Sequence, residues 1–192
     1  MPIANFFIHR LLVVFRGLNH YDEDDIDVIR YGLEAFLWEI EKFVYMAVIF
    51  AVTGFWWQFL ACAVAITSVR PMAGGFHASS AWRCFWITLF GFGAAIVVLP
   101  MFALNSALIL LLGTFSLAVT IIAAPLHSKQ MEGVVNRDRD KFRKYIAVAV
   151  TAVWFVILFV YRSHFLAPTV IWIIALQNLQ LIITWIARRR NL

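Results

Sequence analysis

Charge and cysteine are scarce in this sequence. Only 14% of its 192 residues are charged, and two are cysteines. A soluble domain is about a quarter charged and half apolar. Here 63% of residues are hydrophobic and the mean hydropathy is +0.83. No soluble core hides that much apolar surface, so the expected fold class is an all-α integral membrane protein. Cys62 lies inside an apolar run and Cys84 in a polar break, which excludes a disulfide framework. A His-Glu-x-x-His motif is absent, and Cys and His residues are too few and too scattered to share a zinc ion. Neither a metal nor another cofactor is therefore expected. No serine sits in Gly-x-Ser-x-Gly, and Gly74-Gly75 is not followed by Gly-Lys-Ser/Thr, so a hydrolase elbow and a phosphate loop are excluded. The acidic run Tyr21 to Asp27 has Ile26 and Asp27 at the fifth and sixth positions from Asp22, where a calcium loop needs a ligand and a glycine. It is expected to be a solvated linker. There is no internal repeat, and no nucleic-acid partner is expected.

Apolar segments fill most of the chain. Residues 1–20 lack a basic start, and Arg10 and Arg16 interrupt the apolar positions, so no cleavable signal peptide is expected. On a helical wheel His9, Arg16 and His20 fall on one side and Phe7, Ile8, Leu11, Leu12, Phe15 and Leu18 on the other. That pattern fits an amphipathic helix lying in the membrane interface. It fits equally a helix packed on the protein's own bundle. With the acidic linker it makes up residues 1–30. Six apolar segments follow within 35–187: 35–52, 55–69, 85–104, 106–126, 145–161 and 165–187. All belong to one membrane-embedded domain, 1–192. Pro100 is expected to kink the end of the third segment. Glu39, Glu41 and Lys42 are expected to lie near the interface or to face inward, because charge at the bilayer centre is costly. Gln177, Asn178 and Gln180 in the last segment are expected to bond between helices; one of them could instead orient a catalytic histidine.

Basic residues set the orientation. Arg10, Arg16 and Arg30 precede the first segment, and Arg70 and Arg83 flank the break at 70–84. Lys129, Arg137, Arg139, Lys141, Arg143 and Lys144 fill the break at 127–144, and Arg188, Arg189 and Arg190 end the chain. With six spans all of these share one side, and the other carries Arg162 alone. The positive-inside rule then places both termini and both breaks in the cytoplasm, where Cys84 stays reduced. The same stripe would attract anionic lipid headgroups or an acidic peptide.

The break from Arg70 to Cys84 carries the chemistry. It joins Gly74-Gly75, His77, Ser79-Ser80 and Arg83-Cys84. A thiol needs a base beside it to become a good nucleophile, and imidazole is the usual one. Along one straight helix His77 and Cys84 would be about 10 Å apart in rise and would not touch. The glycine pair offers a fold-back, with Ser79 or Ser80 capping the next helix. Cys84 would then sit about one turn in, where the dipole favours a thiolate. A lone cysteine in a membrane protein is more often packing than catalytic, and Cys62, with none of this context, is read as packing. Phe76, Trp82, Phe85 and Trp86 could line a pocket or anchor the chain at the interface.

Arg70-x-x-x-Gly74-Gly75-x-His77-Ala78 followed by Cys84 resembles the signature of the accessory gene regulator B (AgrB) family, membrane endopeptidases of Gram-positive quorum-sensing systems. The length, the six segments, the amphipathic start and the basic fourth loop resemble the family too, as does Tyr31-Gly32-Leu33-Glu34. The resemblance implies Cys84 as nucleophile and His77 as base. It implies contacts to substrate from Arg70, Gly74, Gly75 and Arg83, and from the basic loop of Lys129, Arg137, Arg143 and Lys144, the loop matching in character rather than residue by residue. The implied substrate is an AgrD-like propeptide with an amphipathic leader, a Cys- or Ser-containing core and an acidic tail. The implied setting is the cell membrane, with lipid contacts and a homodimer. A peptide exporter without proteolytic activity is the rival reading, resting on Gln177, Asn178 and Gln180. A lipid-interacting scaffold would leave His77 and Cys84 unexplained.

Overall fold

The structure is a computed structural model that describes residues 8–13, 22–75, 80–102, 105–126 and 137–190. Its elements are helical: α1 (8–13), α2 (Glu23–Val52), α3 (Trp56–Ala73), α4 (Ala81–Gly93), α5 (Ser106–Ala123), α6 (Arg137–Val160) and α7 (Ala167–Arg190). Helices satisfy each backbone polar group within their own segment, as an apolar solvent demands. Among the described residues, four stretches are long and apolar enough to cross a membrane: Trp82–Met101, Ser106–Ala123, Asp138–Val160 and Ala167–Arg189. They coincide with the last four expected segments. α2 and α3 occupy the places of the first two. The apolar part of α2 carries Glu39, Glu41 and Lys42, and α3 has Gln58 near its start and Arg70-Pro71 near its end.

Two helices start earlier than expected. Asp22 is the N-cap of α2, its carboxylate accepting the Asp25 N–H at 2.8 Å. The acidic run read as a solvated linker is therefore a cap and first turns, with its negative charge at the end the helix dipole favours. α6 begins at Arg137, so Arg137, Arg139, Lys141, Arg143 and Lys144 lie on about two helical turns rather than in a loop. Asp138 and Asp140 sit in that first turn and suit the same dipole. Of the expected amphipathic helix, 8–13 is helical with Ile8 buried and His9 and Arg10 exposed; the rest of 1–20 lies outside the described residues.

The third segment ends as Pro100 predicts. α4 widens into a π-helical turn at Ala94–Val98 and tightens to a 3-10 turn at Leu99–Met101. A proline without an N–H cannot continue the α-helical ladder, and the spacing changes where that donor is missing.

α7 is the central helix. Of its apolar stretch 44% is buried inside the bundle, against 17–33% for the other three. It packs on α5, α3 and the π-helical turn, while α2 lies at the edge against α3 and α4. Phe43, Phe50, Phe59 and Phe92 join α2, α3 and α4, with ring centroids 5.5–6.4 Å apart. Gly113 lets α6 close on α5, since a Cβ there would meet the Phe155 ring. Buried hydrogen bonds add direction: Thr120 Oγ1 donates to Asn178 Oδ1 at 2.9 Å, and Trp154 Nε1 to Ser68 Oγ at 2.8 Å.

The two polar breaks begin side by side at one end of the bundle. The Leu126 N–H, just after α5, donates to the Ala73 carbonyl at the end of α3 at 3.0 Å. Gly74 pairs alongside Leu126 with φ +79°, and a Cβ on Gly74 would collide with the Leu126 carbonyl. Only glycine fits this approach.

Candidate functional site

Cys84 lies in the first turn of α4. Ser80, with extended backbone, is the N-cap, and its carbonyl accepts the Cys84 N–H at 3.0 Å. The Ser80 hydroxyl makes no capping bond, so position rather than side-chain chemistry makes it the cap. Cys84 is half-buried, whereas Cys62 is fully buried with its thiol donating to the Thr169 carbonyl at 3.5 Å. Cys62 is packing, as its apolar surroundings predicted.

The residue opposite Cys84 comes from α2. Lys42, Met46 and Phe50 repeat at four-residue spacing and form a buried stripe on that helix. The lysine extends from this stripe to bring Nζ within 4.0 Å of Cys84 Sγ. The same Nζ donates to Glu39 Oε2 at 2.6 Å, one helical turn back. Glu41 turns to a different partner, accepting the Tyr45 hydroxyl at 2.8 Å. Sequence reasoning recognised these three charges as inward or interfacial and did not connect Lys42 to Cys84. The available signal was a lysine in register with an apolar stripe and a glutamate three residues before it.

A second corner gathers Arg70, Gly74, Gly75 and Gln177. Gln177 Nε2 donates to the Gly74 carbonyl at 3.1 Å, tying α7 to the end of α3. Gly75 is buried, and a Cβ there would lie 3.3 Å from Gln177 Nε2 and 3.9 Å from Arg70 Nε. The glycine pair thus admits Leu126, Gln177 and Arg70. His77, with its expected fold-back towards Cys84, lies outside the described residues, as do Phe76 and Lys129. Arg83 is exposed beside Cys84, and Arg143 and Lys144 are half-buried on α6.

A cavity of about 320 Å³ runs between α3, α4 and α7. Arg70, Thr88, Gln177, Gln180 and Thr184 supply its polar lining. Thr88 Oγ1 donates to the Cys84 carbonyl at 2.8 Å, so the cavity begins one turn beyond the thiol. Of the aromatics considered as pocket lining, Trp82, Phe85 and Trp86 do not line it. Phe85 is buried edge-on against Tyr45, at 6.3 Å between ring centroids. Trp82 and Trp86 point outward, 59% and 48% exposed, in the manner of interfacial anchors. Gln177 and Asn178 bond between helices, as expected.

A half-buried thiol facing an ammonium group, at a polar end of an apolar bundle and next to a cavity, suits nucleophilic chemistry on a substrate held at the membrane surface. A family model described as Accessory gene regulator B matches residues 3–184. A chain of Clostridium perfringens (strain 13 / Type A), provisionally named AgrB-like protein 1, is 23% identical over 161 residues, 83% of this chain and 86% of the relative. An AgrB-like protein of Clostridium beijerinckii, also provisionally named, is 26% identical over 132 residues, 68% of this chain and 66% of the relative. No solved structure matches.

Proposed function

The chain belongs to the accessory gene regulator B family, and from that premise we propose that it is a membrane cysteine endopeptidase that processes an AgrD-like propeptide. Family membership supports a role in the accessory gene regulator system. The observation that carries the enzymatic reading is the contrast between the two thiols: Cys84 is accessible and faces a buried ammonium, while Cys62 is sealed in the core.

In this reading the Cys84 sulfur attacks the carbonyl that precedes the acidic tail, with His77 as base. The C–S bond forms, the C–N bond breaks, and the leaving nitrogen takes its proton from His77. The remaining peptide is held as a thioester on Cys84. Its own internal thiol then displaces the Cys84 sulfur and closes a thiolactone ring. Exchange of one thioester for another is nearly isoenergetic, and tethering both reactants supplies the effective concentration. The apolar bundle limits water, which would otherwise divert the thioester to hydrolysis. Arg70, Gly74, Gly75 and Arg83, with Lys129, Arg137, Arg143 and Lys144, would receive the peptide and its acidic tail.

The proposed topology has six crossings, α2 and α3 adding to the four apolar helices, with α1 and its flanks at the interface and both termini in the cytoplasm. The pairing of Leu126 with Ala73 supports the part of it that puts both breaks on one side, since α4 and α5 lie between them. The working unit is a homodimer, the assembly the family resemblance implies.

The test is a propeptide lacking its internal thiol. It should be cut and then remain attached to Cys84, where mass spectrometry of the purified enzyme would locate it. Cys84→Ala should release no tail, and Cys62→Ala should process normally. A trapped peptide on any other residue, or tail release by Cys84→Ala, would overturn the reading.

A further inference from the structure

Lys42 is withdrawn from solvent to 2% side-chain exposure, while its partner Glu39 keeps 40%. An ammonium group on the inner stripe of an apolar helix is costly to bury unless its charge is matched. Glu39 matches it on one flank at 2.6 Å, where the pair opens to solvent. On the other flank stands the Cys84 sulfur at 4.0 Å, the long limit of an N–H···S contact. Glu41 on the same helix is engaged by Tyr45, and Thr88, on the helix of Cys84, is engaged by the Cys84 carbonyl.

We propose that Lys42 is a catalytic residue: its ammonium group holds negative charge on the Cys84 sulfur, and Glu39 tethers that ammonium in place. The inference rests on the reading of Cys84 as nucleophile and adds a partner that the motif around Cys84 does not contain. The sulfur carries negative charge twice in the proposed cycle, when it attacks the peptide carbonyl and when the ring-closing thiol expels it. Lys42 faces it both times. A fixed cation beside a thiolate is the arrangement that makes a cysteine reactive. This one is supplied by α2, which links a helix outside the Arg70–Cys84 stretch to the chemistry.

The test uses the full chain in lipid nanodiscs, without peptide. Cys84 is alkylated with neutral iodoacetamide and, separately, with anionic iodoacetate, and the labelled site is mapped by mass spectrometry. Lys42→Gln should slow iodoacetamide about tenfold. It should slow iodoacetate further, because the cation that draws the anionic reagent is gone. Lys42→Arg keeps the charge and should retain the iodoacetate-to-iodoacetamide ratio and most of the rate. Glu39→Gln keeps a side-chain oxygen to hold the ammonium but removes the competing negative charge, and should raise the ratio. In tail release, Lys42→Gln should lower kcat with little change in KM. A folded Lys42→Gln protein with the parent rate and ratio overturns the proposal. Should Lys42→Gln not fold, an unchanged ratio in Glu39→Gln overturns it, and so does a Lys42→Arg protein that loses the ratio. Because alkylation needs no peptide, a parent protein that fails to cut propeptide but shows these ratios refutes the peptidase reading and leaves the Lys42–Cys84 pair standing.

Discussion

Gly74→Ala tests what holds the two polar breaks together. Gly74 has φ +79° and ψ −164°, a region essentially reserved for glycine, where a side chain costs about 1–3 kcal/mol in backbone strain. The added methyl would also run into the Leu126 carbonyl. Relief requires the breaks to separate, with loss of the Leu126 N–H bond to Ala73 and of the Gln177 bond to the Gly74 carbonyl. At about 0.5–1.5 kcal/mol for each bond, the total is about 2–6 kcal/mol. Gly54→Ala is the matched control. Gly54 also has a positive φ, +81°, but a Cβ there meets nothing within 4 Å, so only strain of about 1–2 kcal/mol applies. Reversible unfolding in mixed micelles should therefore rank Gly74→Ala as clearly the more damaging change. Cys84 alkylation should be altered in Gly74→Ala, whose break leads directly into α4, and unaltered in Gly54→Ala. Equal losses in the two variants would refute the argument that the Leu126 contact is what the glycine accommodates.

Two further outcomes follow from the bundle. Asn178→Leu should cost about 0.6–1.7 kcal/mol in the same unfolding assay, because the single Thr120 hydroxyl proton loses the Asn178 oxygen and is left the Ser116 carbonyl, 2.8 Å away, as its acceptor; a double-mutant cycle with Thr120→Val that shows no coupling would refute that bond. Reporters attached at Asn105 and at Leu192 should lie on opposite sides of the membrane, and finding both on one side would eliminate the six-crossing topology.

Sequence reasoning worked best where one local property decides the outcome. Apolar runs of about 20 residues become helices because hydrocarbon leaves backbone groups no other partner. The turns near Gly54, Asn105 and His164 were legible from the polar residues between those runs. Pro100 marked its own distortion. Helix starts were less legible. Hydropathy weighs Asp22–Asp27 and Arg137–Lys144 as polar, yet capping and dipole effects make such residues good helix beginnings, so α2 and α6 reach beyond their apolar parts.

By itself the sequence determined the membrane class, the two polar breaks and the contrast between Cys62 and Cys84, because solvent transfer and the local neighbourhood of each residue settle those matters. Tertiary structure decided which residues meet. Lys42 and Cys84 are 42 positions apart and approach only because α2 lays its buried stripe against α4. Gly74 meets Leu126, and Gln177 meets Gly74, only when α3, α5 and α7 have packed. Hydropathy depends on each residue's own transfer energy, whereas these contacts depend on how helices are rotated and placed against one another. That arrangement is set by the fit of many side chains at once, including the ring of Phe155 against Gly113 and the bond from Thr120 to Asn178.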